Sequence, residues 1–234
     1  MKCDPIAVVR SCFGGKFAVP RQPGLSPHAW GELVFHEAYR SREAVRGIEG
    51  FSHLWLIFGF HETAAEGWRP TVRPPRLGGD ERVGVFASRS TYRPNGLGLS
   101  VVRLEGVDYS RPDGPVLQLA GLDLLDGTPV YDIKPYLAYA DSVPDAVSGY
   151  APAKPELLQV KVDPAVAEVF SALPERTQKV ICETLALDPR PAVRREEGRV
   201  FGAGLCSRNV RFQIVSGVCW ILEIHEEGGS GLNG

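Results

Sequence analysis

The sequence predicts a mainly β protein in which a single antiparallel β-barrel domain is followed by a small α+β C-terminal domain. Three observations support this fold class. Short runs of β-branched and aromatic residues recur in the first 141 residues. These runs are separated mainly by turns rich in Gly, Pro and Asp, and not by helices. One run, at residues 51–61, is almost continuously apolar, as expected for a strand buried on both faces. Beyond Asp141 a Pro-, Ala- and Ser-rich stretch leads into helical sequence.

These changes in composition divide the chain into four parts. We expect the barrel domain at residues 1–141, a linker at 142–156, and the α+β domain at 157–225. The remaining residues, 226–234, form a glycine-rich tail that we expect to be disordered, because it lacks the apolar residues needed to build a core.

The barrel domain contains one helical segment among its strand-like runs. Residues 41–47 fit a short helix with Ser41 as N-cap and Gly47 as its stop. Residues 67–80 carry three prolines beside arginines, which predicts an extended basic loop. The predicted strands are residues 5–10, 31–36, 51–61, 82–88, 99–106, 115–121 and 128–133.

The C-terminal domain mixes helices and strands. A strand at residues 157–162 precedes helical sequence at 164–187, in which Pro174 separates two helices. Residues 200–224 predict two further strands about a Ser216-Gly217 turn.

Composition restricts the class of protein and its cellular location. Hydrophobic residues make up 44% of the chain and charged residues 23%, and no run approaches the roughly 18 apolar residues of a membrane span. The apolar run near the N-terminus is too short for a secretory signal, so we expect a cytoplasmic protein. Five cysteines without a C-x-x-C pair and five histidines without H-E-x-x-H predict reduced thiols and no metal site.

Charge is unevenly distributed along the chain. The overall net charge is −2, but residues 69–103 contain seven arginines and two acidic residues, a local excess of five positive charges. Arginine binds phosphate and carboxylate groups with paired hydrogen bonds, which favours an anionic partner such as nucleic acid. The alternative is a solvated basic surface, and composition alone favours that alternative.

Two polar segments are the best candidates for a functional site. Residues 89–103 place Arg89, Arg93 and Asn95 around a rigid Pro94. Residues 122–136 carry acidic and basic side chains around an Asp-Gly turn. Together they suggest a site that holds a charged ligand beside a group that must lose a proton. The sequence has no P-loop, no nucleophile elbow and no complete dinucleotide-binding glycine motif.

Five ordered motifs within residues 5–141 resemble the TrmO family. The family consists of S-adenosylmethionine-dependent methyltransferases that act on N6 of threonylcarbamoyladenosine in the tRNA anticodon loop. The resemblance implies a barrel without a Rossmann sheet, and usually a homodimer whose cofactor pocket lies near the subunit interface. The motifs are RQPG (21–24), AVRGIEGFSHLWLIFGFH (44–61), WRPTVRPPRLGG (68–79), GVFASRSTYRPN (84–95) and LDLLDGTPVYDIKPY (122–136).

The resemblance also implies which residues contact the cofactor. Leu124 and Leu125 would hold the adenine, and Arg89 would pair with the methionine carboxylate. One departure is Gly96-Leu97, where the family usually has Pro-Ile. The full set of implied cofactor contacts is Pro20, Arg21, Gln22, His61, Glu62, Arg89, Asp123, Leu124, Leu125 and Asp126.

The expected reaction is direct transfer of the sulfonium methyl group to N6. That nitrogen belongs to a urea-like linkage and is a poor nucleophile until it loses its proton, so the reaction requires a general base. Asp126 and Asp132 are the candidate bases, and Lys134 and Tyr136 would orient the base or the threonyl carboxylate. The residues expected to bind the substrate are Arg69, Arg73, Arg76, Arg93 and Asn95.

Other interpretations remain open at this stage. Asp126 could cap the Asp-Gly turn and Tyr136 could pack without any chemical role. The whole domain could be a non-catalytic RNA- or nucleotide-binding barrel that uses the arginine loop alone. A third alternative is a small-molecule hydrolase that uses Asp126 and His61.

Overall fold

The computed structural model of the chain describes residues 3–191 and 196–226. The predicted tail therefore lies outside the described residues except for Glu226. The strands are β1 Ala7–Ser11, β2 Trp30–Phe35, β3 His53–Gly59, β4 Thr71–Val72, β5 Val83–Gly84, β6 Leu97–Asp108, β7 Val116–Ala120, β8 Pro129–Pro135, β9 Gln159–Val162, β10 Val200–Leu205, β11 Arg208–Val215 and β12 Val218–Glu226. The α-helices are α1 Ala138–Asp141, α2 Ala167–Ser171 and α3 Glu175–Ala186.

Six antiparallel strands close the barrel in the order β1-β2-β7-β6-β3-β8. Alternate side chains of each strand fill the interior, because side chains of a strand point to opposite faces in turn. In β3, for example, Leu54 and Leu56 are fully buried. The predicted fold class is confirmed by this barrel and by the smaller unit that follows it.

Strand β3 differs from the prediction in one respect. We expected burial on both faces, but Trp55 and Ile57, which point outward, are only half-buried. In a closed barrel only one face of each strand lines the core, so these side chains form part of the outer wall. Their neighbours across β6, Val101 and Leu99, continue this apolar surface.

The C-terminal unit is a four-stranded sheet in the order β10-β11-β12-β9, in which β9 runs parallel to β12. Helix α3 contributes Val180, Ile181 and Leu185 to the buried core. Sequence analysis predicted two strands in residues 200–224, whereas three are present, because the chain also turns at Cys206-Ser207. Within residues 3–191 and 196–226, no helix has both the length and the apolar character needed to cross a membrane.

Two barrel segments also differ from their predictions. Residues 82–88 contain only the two-residue strand β5 and a single 3-10 turn at Val85–Ala87. Residues 41–47 contain a 3-10 turn at Arg42–Val45 instead of an α-helix, although Ser41 does cap it by accepting a hydrogen bond from the Glu43 amide. Short segments provide too few consecutive backbone hydrogen bonds to sustain a regular helix or a longer strand.

The barrel and the C-terminal unit share one continuous buried cluster. A backbone bridge joins Phe13, just after β1, to Leu205 at the end of β10. On α3, the Glu183 carboxylate accepts hydrogen bonds from the Ser26 hydroxyl at 2.9 Å and from the His28 amide at 3.1 Å. The C-terminal unit is therefore packed directly against the loops at one end of the barrel.

Candidate active site

The acidic loop between β7 and β8 is anchored by Leu122 and Leu124, which are almost fully buried. Asp126 in this loop does not cap its own turn through its side chain. Its Oδ1 accepts a hydrogen bond from the Ser11 amide at 2.9 Å, and its Oδ2 lies 3.6 Å from Nη1 of Arg10. The carboxylate of Asp126 is therefore held by the last two residues of β1, outside the Asp-Gly turn.

Asp123 occupies a more enclosed position at the start of the same loop. Burial raises its pKa to about 6 from an ordinary value of 3.8, although the Ser100 hydroxyl and the positive charge of Arg89 oppose the rise. Its Oδ1 is buried and has no hydrogen-bond partner within the described part of the chain. Buried polar atoms are normally paired, so this oxygen is suited to accept a hydrogen bond from a ligand.

Arg89 connects the acidic loop to the loop at residues 20–22. Its Nη1 donates a hydrogen bond to Oε1 of Gln22. Because Arg89 also acts electrostatically on Asp123, the fold brings the predicted cofactor residues of three separate segments together. Pro20 is buried beneath this group, and Arg21 is exposed.

His61 and Glu62 follow β3 at the same end of the barrel. A Glu62 oxygen lies 3.6 Å from Nζ of Lys16, and the other lies 3.8 Å from Nε2 of His61. The His61 ring is also close to the acidic loop, since a Cβ added at Gly127 would be 4.0 Å from Nε2. The structure thus brings Glu62 to the same cleft as Leu125 and Asp126, with His61 next to it.

A cleft of about 490 Å³ lies between these groups. Glu62, Leu125 and Asp126 were predicted as site residues, whereas Lys16 and Ser207 were not. The Gly14-Gly15-Lys16 sequence after the first strand was an available signal for a ligand-contacting loop. Ser207 carried no such signal, because it belongs to the distant C-terminal unit. The full lining is Ser11, Cys12, Gly14, Gly15, Lys16, Glu62, Leu125, Asp126 and Ser207.

Arg93 has a local structural role. Its Nη1 donates hydrogen bonds to the backbone oxygens of Val85 at 3.2 Å and Ser88 at 2.8 Å. These bonds hold the turn that leads to Arg89. Gly96 has a φ of +59°, which proline cannot adopt, so the backbone here cannot match that of a family member with proline at this position. Asn95 is exposed beside it.

The basic loop at residues 67–80 contains three more predicted site arginines. Arg69 stacks on the Tyr92 ring at 4.1 Å and pairs with Glu66 at 3.1 Å. Arg76 donates to the backbone oxygen of Ala153 at 2.6 Å, and Arg73 is exposed. Arg69 and Arg76 are thus held by contacts within the chain, whereas the Arg73 side chain is open to solvent.

Three predicted catalytic residues lie on the outer wall. Asp132 and Lys134 are exposed on β8, opposite Ile57 and Trp55 respectively. The Tyr136 ring packs against Trp55, with centroids 5.9 Å apart. Strand β8 begins near Asp126 and spans about 20 Å at 3.3 Å per residue, so Lys134 and Tyr136 lie toward its far end. Within one chain, these three residues therefore do not lie beside Asp126.

The arrangement is suited to a zwitterionic nucleoside. Arg89 can bind a carboxylate, the buried Asp123 oxygen can accept from a hydroxyl or amine, and Leu125 offers an apolar contact for a base. Among residues 3–191 and 196–226 there is no group of three or more His, Cys, Asp or Glu residues that could hold a metal ion.

Comparisons with known proteins place both parts of the chain in one family. A family model for the tRNA-methyltransferase O N-terminal domain matches residues 8–142, and one for the TrmO C-terminal domain matches residues 155–227. The chain is 49% identical over 217 residues to the tRNA (adenine(37)-N6)-methyltransferase of Escherichia coli (strain K12), covering 90% of this chain and 92% of that protein.

Two proteins from Pseudomonas aeruginosa extend the comparison. The putative S-adenosylmethionine-dependent methyltransferase RcsF is 46% identical over 214 residues, covering 89% of this chain and 90% of that protein. A crystal structure of TrmO aligns with a TM-score of 0.78 at 39% identity, covering 96% of this chain and 98% of that chain. These similarities extend over both the barrel and the C-terminal unit.

Proposed function

Because the chain belongs to the TrmO family, we propose that it is an S-adenosylmethionine-dependent tRNA methyltransferase that methylates N6 of threonylcarbamoyladenosine at position 37 of the anticodon loop. The observation that carries this proposal is the convergence of Gln22, Arg89 and Asp123, which come from three separate segments: Arg89 hydrogen-bonds to Gln22 and acts electrostatically on Asp123. The Escherichia coli relative is named for adenine 37 of tRNA, and the Pseudomonas aeruginosa relative is named for S-adenosylmethionine.

The residues present fit the cofactor. The buried Oδ1 of Asp123 lacks a partner in the described chain, and S-adenosylmethionine carries hydroxyl and amine donors that could supply one. Arg89 would bind the methionine carboxylate, and Leu125 would contact the adenine. The bound cofactor supplies an electrophilic methyl group on a sulfonium. Pro20, Arg21, His61, Glu62 and Leu124 complete the proposed cofactor set.

The main chemical task of the protein is to remove the proton from N6. We assign the general base to Asp126, because it is the one predicted catalytic carboxylate that lines the cleft. The Ser11 amide fixes the orientation of Oδ1, and Oδ2, 3.6 Å from Nη1 of Arg10, is the oxygen that we assign to take the proton from N6. Loss of this proton would make N6 nucleophilic enough to accept the methyl group that the bound cofactor would supply.

The proposed enzyme is a homodimer. The outward side chains of β3 and β6 support this, because Leu97 and Leu99 are 42% and 55% exposed beside the half-buried Trp55 and Ile57. Exposed apolar surface of this kind is typical of a protein interface. The same wall is bordered by Asp132, Lys134 and Tyr136. If these residues take part in catalysis, they would act in the cleft of the second subunit.

The dimer can be tested by sedimentation. Leu99→Glu should convert a dimer to a monomer, because a charge would be buried in an apolar interface. Val147→Glu is a matched control, since Val147 is 97% exposed in the linker. An unchanged sedimentation coefficient for Leu99→Glu, with the fold intact, would exclude this wall as the interface.

The substrate part of the proposal assigns tRNA to the basic loop. Arg73 would contact phosphate directly, and Arg69, Arg76, Arg93 and Asn95 would support or extend that surface. An enzyme acting on tRNA in this way would work in the cytoplasm.

Methyl transfer can be tested with two preparations of the same tRNA, one carrying threonylcarbamoyladenosine and one carrying adenosine. Each is incubated with protein and S-adenosylmethionine, and its nucleosides are analysed by mass spectrometry. We expect the mass of one methyl group to be added to the modified nucleoside only. Calorimetric titration with the cofactor provides a second readout. Cofactor binding without methyl gain would contradict the assigned substrate, and absence of both would support the non-catalytic or hydrolytic alternatives.

A further inference from the structure

The turn between β10 and β11 has an unusual backbone. Cys206 and Ser207 form a two-residue hairpin turn, with φ of +53° and +58°. Such turns favour glycine and asparagine, because other side chains are strained at positive φ. The next hairpin of the same sheet follows that rule in part, with Ser216-Gly217 at its turn. Strained backbone of this kind recurs at functional sites, which suggests that Cys206 has a function at this turn.

The turn places Cys206 against Cys12 of the barrel. The Cys206 amide donates to the Cys12 carbonyl at 2.7 Å, next to the bridge between Phe13 and Leu205. The two thiols are also close enough for each to shift the pKa of the other. Residues directly opposite one another in antiparallel strands have Cα atoms about 4.5–5.5 Å apart, which lies within the range that a disulfide spans.

The surroundings of Cys206 stabilise a thiolate. The Cys12 thiol donates to it, the Thr177 hydroxyl and the Trp30 indole also donate, and Arg176 adds a positive charge, so that the pKa of Cys206 is lowered despite burial. Nη2 of Arg176 is buried without a hydrogen-bond partner among residues 3–191 and 196–226. A thiolate on Cys206 would offer a negatively charged acceptor to this Arg176 nitrogen.

The other cysteines lack this environment. The hydrogen bond with Cys206, followed by burial, raises the pKa of Cys12, so Cys206 is the member of the pair that loses its proton more readily. Burial raises the pKa of Cys182, and it raises that of Cys219 to about 12. Cys3 is exposed and stands alone. Cys12 and Cys206 are therefore distinct in both geometry and reactivity.

We propose that Cys206 and Cys12 form a redox-active dithiol that reacts with small-molecule disulfides and, once oxidised, covalently joins the barrel to the C-terminal unit. The Cys206 thiolate attacks one sulfur of the small disulfide and releases one thiolate. Cys12 then transfers its proton to that leaving thiolate and attacks Sγ of Cys206, releasing a second small thiolate. Two protein thiols are oxidised to one disulfide, and one small disulfide is reduced to two thiols. The cleft lined by Cys12 and Ser207 provides the approach.

The test uses the full-length protein and oxidised glutathione. After incubation, remaining thiols are alkylated and the protein is digested without reduction for mass spectrometry. We expect a peptide pair linked through Cys12 and Cys206, with Cys182 and Cys219 alkylated only after unfolding. The oxidised protein should also show a higher unfolding temperature, which dithiothreitol reverses, because the link constrains the unfolded chain.

Single variants separate attacking and resolving roles. Cys12→Ser should stop at a mixed disulfide on Cys206, whereas Cys206→Ser should leave Cys12 unmodified. Cys219→Ser is the control and should form the link as the parent protein does. Absence of the linked pair, or glutathione on Cys12 in the Cys206→Ser variant, would overturn the proposal. Circular dichroism of each variant establishes that it is folded before the result is interpreted.

Discussion

The loop end of the barrel and its outer wall each carry a group of polar residues that the sequence marked as functional, but they present them differently. At the loop end, Oδ1 of Asp123 is buried and Asp126 is held by the Ser11 amide at the end of β1. On the wall, Asp132 accepts a hydrogen bond from the Ile133 amide beside it and is exposed to solvent. Residues of one sequence motif can thus lie in different environments, some in the candidate site and others on the outer surface. The environment of each residue depends on the segments that pack around it.

The largest expected effect contrasts the two carboxylates directly. Asp126→Asn should lower kcat by about 10²–10⁴-fold, because loss of a general base removes that much rate enhancement. Asp132→Asn should retain most of kcat, since within one chain its carboxylate faces away from the cleft. Single-turnover methylation measures both. A comparable loss of kcat in Asp132→Asn would show that Asp132 acts in the site of the second subunit. It would contradict the expected difference between the two carboxylates.

Asp123 should make stability depend on pH. Its pKa in the folded protein, about 6, lies above its ordinary value of 3.8, so the folded state binds the proton more tightly between these pH values. The free energy of unfolding should therefore fall by about 3 kcal/mol as pH rises from about 4 to about 6, and stay low above it. Asp123→Asn should remove that fall and weaken cofactor binding. Urea unfolding across this pH range provides the measurement, and parallel profiles for the two proteins would contradict it.

Arg93 offers a test between a binding and a supporting role. Arg93→Ala should lower the free energy of unfolding by about 1–3 kcal/mol, because the Val85 and Ser88 carbonyls would lose a charged donor. Cofactor affinity should fall as well, since the turn leading to Arg89 loosens. Calorimetry and thermal unfolding separate the two effects. Unchanged stability with lost tRNA binding would return Arg93 to the substrate role predicted from the sequence.

The smallest expected effect concerns Arg73. Arg73→Ala should leave stability and cofactor affinity unchanged. It should reduce the slope of log tRNA affinity against log salt concentration by about 1, which corresponds to the loss of one phosphate contact. Titrations at several salt concentrations measure that slope. Arg103→Ala, which removes an arginine paired with Glu105 at 2.7 Å on β6, is a matched control that should not change it. An equal change in both variants would assign the effect to net charge alone.

Much of the barrel could be predicted because its strands are local patterns of apolar residues bounded by turn residues. The predicted strand that became β5 was wrong in extent, and the hairpin at Cys206 was missed, because neither has the turn chemistry that normally marks such elements. The division at residues 142–156 and the roles of the site residues stay predictions. The sequence also could not reveal Lys16 and Ser207 as cleft residues, since their proximity depends on how the C-terminal unit packs.

The sequence by itself determined the family, the mainly β fold and the segments that carry polar side chains, because each of these depends on residue order over short stretches. Only the tertiary structure decided that Asp126 meets Ser11, that Asp123 is buried near Arg89, and that Cys206 meets Cys12. These pairs are separated by many residues along the chain. Barrel closure and domain packing bring them together, and contacts of that kind leave no signal in local sequence.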